Sequence, residues 1–184
     1  MKGKRLIIVL LILLIIGGVI FFCTRSRQEE EIVQSEITPE EEISEEQERK
    51  TMISLYFEDK QTGEIVKENR MIDVKILANN PYMELVKMLI EGPKSENLQS
   101  TIPEGTKINN VDISGNIVYI DFSKEFINNH EGSLENEIKT VYSIVDTLTE
   151  LNEVTFVRIL IDGEENLQFV DGCMNFIENF ERND

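Results

Sequence analysis

Leu6 to Cys23 is an uninterrupted apolar run of 18 residues, relieved only by Gly17 and Gly18. At about 1.5 Å per helical residue it spans roughly 27 Å, close to the ~30 Å hydrocarbon core of a bilayer. The apolar part of a cleaved signal peptide is usually only about 7 to 15 residues long, so the run predicts a retained transmembrane helix. Cys23 stands where a lipid-modified cysteine would follow a lipoprotein signal. The bulky Ile20, Phe21 and Phe22 before it do not suit a peptidase that prefers small residues, which leaves lipidation of Cys23 as the lesser alternative. Lys2, Lys4 and Arg5 precede the run and Arg25 and Arg27 follow it, so the short basic segment 1–5 is assigned to the cytoplasm and everything beyond residue 23 to the outside.

Residues 24–50 read as a linker. Between Gln28 and Lys50 ten Glu face only Arg49 and Lys50, and Ile32, Val33, Ile37 and Ile43 are too sparse to build a core. Self-repulsion keeps such a segment extended, as a solvated stalk.

Residues 51–184 carry the folded unit. Ile53, Leu55 and Phe57 alternate with Ser54, Tyr56 and Glu58, the period of a strand with one buried face. Thr62-Gly63 turns the chain into a second extended stretch from about Ile65 to Ile76, with Ile72, Val74 and Ile76 on one face. Asn80-Pro81 caps a helix along which Tyr82, Leu85, Val86, Leu89 and Ile90 recur at helical spacing, and Gly92-Pro93 stops it. Ile108 to Ile113 and Ile117 to Phe122 form a hairpin about Ser114-Gly115-Asn116. Ser133 opens a longer helix with the stripe Leu134, Ile138, Val141, Tyr142, Val145 and Leu148. Val154 to Ile161 is a β-branched strand, Asp162-Gly163 turns it, and Asn166 to Val170 returns as a final strand. Cys173, Phe176, Ile177 and Phe180 fall at i, i+3, i+4 and i+7, which predicts a short C-terminal helix docked on the domain. The order β-β-α-β-β-α-β, with one further strand, predicts an α+β two-layer sandwich: both helices on one face of a mixed sheet, preceded by the transmembrane helix.

Composition narrows the chemistry. Eighteen Lys and Arg against 35 Asp and Glu give a formal charge of −17, which repels nucleic acid and anionic lipid head groups. One His and two Cys in 184 residues leave too little material for a zinc site, a disulfide framework or a histidine relay. The single histidine, His130, lies in the polar loop Asn128-Asn129-His130-Glu131-Gly132 and reads as a loop or helix-entry residue. Ser123, after Asp121-Phe122, sits on no strained nucleophile turn and reads as a cap for the Lys124 to Ile127 turn. Glu164-Glu165 and the pair Glu135 and Glu137 lack the register of a calcium loop, and Cys173 reads as a lone buried thiol. No catalytic, metal-binding or cofactor-binding residue is therefore assigned, and no cofactor is expected.

Several segments carry a resemblance. Leu55-Tyr56-Phe57, Leu89-Ile90-Glu91-Gly92-Pro93, Ile102-Pro103-Glu104-Gly105-Thr106-Lys107, Val118-Tyr119-Ile120-Asp121-Phe122-Ser123, Thr147-Leu148-Thr149-Glu150 and Val157 to Ile161 with Asp162-Gly163 resemble, in order and spacing, the GerM domain of sporulation and spore germination proteins. The likeness covers about residues 51–170. It implies a non-enzymatic, extracytoplasmic domain with an α-β-β-α-β core similar to the ring-building motif. Its implied partners are other envelope or sporulation proteins, with a homo-oligomer compatible with the motif. Two departures set this chain apart: one copy of the domain where some members carry two, and the bulky residues before Cys23. The resulting expectation is a single-pass membrane protein, held in the cytoplasmic membrane by Leu6 to Cys23, whose outer domain binds proteins as a scaffold or adaptor. The alternative is an exported binding protein for a small molecule or cell-wall fragment.

Overall fold

The computed structural model describes residues 49–165, 167–170, 172 and 174–182. The apolar run, the lipidation candidate Cys23, nearly all of the linker, and Cys173 lie outside these residues. Among the described residues no helix is long and apolar enough to cross a membrane.

Local chemistry sets the first elements. β1 (Lys50–Asp59) pairs antiparallel with β2 (Ile65–Asp73) along its whole length, with Leu55 opposite Glu68 and Phe57 opposite Val66. The Asp59 carboxylate accepts from the Gln61 and Thr62 amides, and Gly63 takes φ +73, a conformation open to glycine at little cost. The second strand ends earlier than its apolar pattern suggests. Asp73 accepts from the Lys75 amide and starts a 3-10 turn, Val74–Leu77, so Val74 and Ile76 stand exposed instead of sharing the buried face of Ile72. α1 (Pro81–Glu91) then begins as the sequence dictates: Asn80 accepts from the Met83 amide, Pro81 occupies the first turn, and Leu85, Val86 and Leu89 are buried.

A two-residue strand, β3 (Leu98–Gln99), touches the end of β1. β4 (Ile108–Ser114) and β5 (Ile117–Phe122) form the expected hairpin, with Gly115 at φ +64. A single turn, α2 (Glu125–Asn128), and the long α3 (Leu134–Leu148), capped by Ser133, carry the chain across to β6 (Phe156–Ile161), which lies parallel to β5. The succession α1-β4-β5-α3-β6 is the α-β-β-α-β order that the resemblance implies.

The sheet is not single. β2-β1-β3 make one three-stranded sheet and β4-β5-β6 another. α1 packs on β1, β4 and α3, while α3 packs on β1, β2 and β6, so each helix serves both sheets. Two helices on one face of one mixed sheet is therefore corrected to a mixed α+β arrangement with two sheets. One continuous core joins them, with Leu55 and Phe57, Leu85 and Leu89, Ile120 and Phe122, Ile144 and Leu148, and Val157 and Ile159 all at or near zero exposure. Each such side chain contributes roughly 1.5–3 kcal/mol through removal from water.

The C-terminal segment departs most from its pattern. Asp162 (φ +49) and Gly163 (φ +77) make the expected tight turn, closed by paired bonds between Ile161 and Glu164. Of the strand predicted from Asn166 to Val170, Asn166 lies outside the described residues, and 167–170 form only an isolated bridge between Gln168 and Asn175. The helix predicted from Cys173 to Phe180 does not form: among residues 174–182 no helical turn occurs, and Phe180 exchanges backbone bonds with Val157 beside β6. Phe176 is fully buried in an aromatic group with Phe126 and Phe169, whereas Ile177 is exposed. The helical spacing of these apolar residues thus arises from an irregular tail that folds back on its own domain.

Candidate functional site

The segments that carry the resemblance act first as fasteners. Gly92 takes φ +90 at the end of α1, and Arg70, itself 6% exposed, donates to its carbonyl at 2.8 Å while lying over the Phe57 ring. Glu68 accepts from Arg70 and from the Lys94 and Ser95 amides, clamping the chain just after Pro93. Burial alone would raise the Glu68 carboxyl, but the Ser95 amide, Arg70 and the Lys94 amide outweigh it and hold the pKa below the ordinary range. Asp121 accepts from the Gly163 amide, and the Phe122 carbonyl accepts from the Asp162 amide. The Asp-Phe-Ser and Asp-Gly segments therefore lock onto each other across the β5–β6 end.

Ser123 is buried and accepts from the Lys107 amide at 3.0 Å, tying β5 to the start of β4; it is not the side-chain cap of α2, which has none. His130 points elsewhere, and the hydrogen bonds of the two residues share no partner. The Thr140 hydroxyl donates its one proton to the Thr101 carbonyl at 2.7 Å, so at 3.0 Å it can only accept from His130 Nε2. This places a proton on Nε2, while Nδ1 is buried without a hydrogen-bond partner. The ring rests on Phe169, with centroids 4.3 Å apart. Burial lowers the His130 pKa, opposed by the negative charge of Glu137. Glu137 is almost fully buried and accepts from the Met174 amide at 2.8 Å. Of the other acid pairs, Glu135 pairs with Lys139 and Glu165 with Arg158. Among the described residues no three His, Cys, Asp or Glu side chains gather closely enough to hold a metal ion.

What the sequence did not reveal is a cleft of about 770 Å³ between the 99–105 segment, the 129–131 loop and α3. The Ile102 to Gly105 turn forms one wall, shaped by Gly105 at φ +83 and by the Thr106 hydroxyl donating to the Pro103 carbonyl. Asn129 donates to the Glu104 carbonyl and fastens that wall to the opposite loop. His130 and Thr140 lie on the α3 side. Lys139 stands at one end, bonded to Glu58 at 2.9 Å and Glu135 at 2.8 Å. Burial would raise the Glu58 carboxyl, yet the bonds from Lys139 and Gln99 prevail and lower it. Lys139 also lines a second hollow, about 340 Å³, with Ile65, Ile138 and Tyr142 and the acidic Glu64 and Glu135. The lining residues are far apart in sequence and mostly polar, so neither periodicity nor motif spacing marks them.

A family profile described as "Germane: Sporulation and spore germination" matches residues 54–167, more than half of the chain. The chain belongs to the Germane family. Its domain is similar to the first GerMN domain of the sporulation protein GerM from Bacillus subtilis, with 25% identity and a TM-score of 0.61 over 73% of this chain and 99% of that one. It matches the tandem GerMN structure of the same protein at the same identity and TM-score while covering 47% of it. It is also similar to a Clostridium perfringens protein designated a lipoprotein, at 27% identity and a TM-score of 0.50 over 72% of this chain and 88% of that one. No curated protein matches. This Germane domain thus spends its family segments on the Gly92 corner, the cleft wall and the β5–β6 lock.

Proposed function

We propose that this chain is a membrane-anchored adaptor of sporulation or germination complexes: Leu6 to Cys23 sits in the cytoplasmic membrane as a single-pass anchor, the acidic linker holds the domain away, and the Germane domain binds envelope proteins outside the cell. The domain binds and does not catalyse. The observation that carries this reading is the match to the Germane family across residues 54–167. The use of its resemblance segments as fasteners supports the absence of chemistry: Asp121 holds Gly163, Ser123 holds Lys107, and Gly92 is held by Arg70. The designation of the Clostridium perfringens relative as a lipoprotein supports a place at the membrane surface. The test is chemical crosslinking in sporulating cells followed by purification through a tag on the chain. Recovery of defined envelope partners above the level seen with an untagged strain is expected, and recovery of none contradicts the reading.

The cleft favours a second reading, an exported receptor for a small molecule or cell-wall fragment. A thermal-shift screen with muropeptides and amino acids decides it, because a ligand at 100 times its Kd stabilises the folded state by about 2.7 kcal/mol.

A further inference from the structure

We propose that the groove along the first half of α3 is the docking face of this domain, and that it takes a basic segment of a protein partner with an apolar anchor residue beside its lysine or arginine. The proposal rests on the adaptor reading and names the face it uses. The face holds two hollows that share Lys139 in their linings. The larger is acidic. Glu58, Glu104 and Glu131 line it against a single base, and that base is already engaged by Glu58 and Glu135. Glu104 and Glu131 are exposed and form no ion pair among the described residues, so they offer two carboxylates to an incoming cation. The smaller hollow offers an apolar patch of Ile65, Ile138 and Tyr142, edged by Glu64, Glu135 and Lys139. Ile138 is 40% exposed and Leu134, one turn before it on α3, is 49% exposed. An amphipathic helix that turns two large aliphatic residues to water next to an acidic cleft has the layout of an interface: an apolar anchor point beside a charged register mark.

The charge selects the occupant. Residues 51–184 hold 25 acidic and 11 basic side chains, so a second copy of this domain meets the groove with the same sign of charge. A basic segment meets complementary charge in the cleft and places its apolar neighbour against Ile138.

The test uses the full chain in zwitterionic detergent at about 150 mM salt, where unspecific long-range attraction is screened. Fluorescence anisotropy is read with a labelled peptide of glycines carrying two lysines around a leucine, and with two controls, lysines replaced by glutamates and leucine replaced by serine. The lysine–leucine peptide is expected to bind at least about tenfold more tightly than either control. The double variant Glu104→Gln with Glu131→Gln, and Ile138→Ser alone, each weaken it by about fivefold or more; all three positions are exposed, and circular dichroism checks that the variants stay folded. Equal binding by the wild type and both variants overturns the proposal by placing the peptide on other acidic surface. Competition by acetyl-lysine amide as tight as by the peptide overturns it in favour of a small-amine site. A photocrosslinker placed at residue 138 or at residue 71 in sporulating cells separates this proposal from the reading beneath it. Adducts with an envelope protein that also binds the peptide-blocked groove more weakly are expected at 138. Adducts at 71 alone refute the groove and keep the adaptor; adducts at neither refute both.

Discussion

Replacing Glu150 by Gln should loosen the fastening of the C-terminal tail. Glu150 follows α3 and gathers three donors: the Tyr56 hydroxyl at 2.6 Å, Arg182 at 2.9 Å and Lys67 at 3.0 Å. Arg182, near the end of the tail, also bonds the Tyr56 hydroxyl and lies over its ring. Burial would raise the Glu150 carboxyl, but bonds from Tyr56, Arg182 and Lys67 override it and hold the pKa at about 2, against 4.5 in an unfolded chain. At about 1.4 kcal/mol per unit this gap has a ceiling of roughly 3 kcal/mol. The carboxylate side chain is 26% exposed, so solvent screening reduces the expected loss to about 1–2 kcal/mol at neutral pH. Because the folded pKa is depressed, the unfolded chain binds the extra proton between the two values. The contribution is therefore complete above pH 4.5 and disappears as pH falls through about 2. Urea unfolding followed by circular dichroism, for wild type and Glu150→Gln at pH 7 and near pH 2.5, reads it directly. A deficit of about 1–2 kcal/mol at pH 7 that largely closes at the acid end is predicted. A difference that is absent at pH 7, or the same at both pH values, refutes the reasoning.

Gly172→Ala places a methyl group 2.5 Å from Glu137 Oε1 and from Phe169 Cβ, and should cost about 1–3 kcal/mol in urea unfolding, with a mutant as stable as wild type refuting the close approach. His130 is half-buried, and that burial lowers its pKa, so the unfolded chain takes up its proton first. Stability should decline as pH falls below the ordinary histidine value near 6.5, and His130→Gln should flatten that decline. Asn80→Ala removes both the cap on Met83 and the bond to the Val111 carbonyl, which should lower stability by about 1–2 kcal/mol and shift the thermal midpoint accordingly.

The parts of the fold legible in the sequence are those whose chemistry is local. Thr62-Gly63, Gly115-Asn116 and Asp162-Gly163 turn the chain because the conformations needed there are cheap for glycine, and Asn80 and Ser133 cap helices with their own side chains. The division into two sheets was not legible, since nothing in β3 or β4 states its partner. The apolar stripe of α3 holds in its second half, where Val141, Val145 and Leu148 are buried, and fails in its first half for a specific reason. Leu134 and Ile138 look like core but face water, while Glu137, Thr140, Ser143 and Thr147 are buried because each finds a distant or local bond. Glu137 holds the Met174 amide, Thr140 the Thr101 carbonyl, Ser143 the Thr140 carbonyl, and Thr147 accepts from the Tyr56 amide. The cleft was invisible for the same reason: Glu58, Gly105 and His130 become neighbours only after the sheets and α3 have packed.

Protease accessibility in intact protoplasts of cells expressing the full chain tests the account most directly. The adaptor account predicts full-length chain in the membrane pellet, resistant to carbonate extraction, with its C-terminal domain degraded by external protease without detergent. A chain that stays protected until the protoplasts are lysed, or that fractionates with soluble protein, contradicts it.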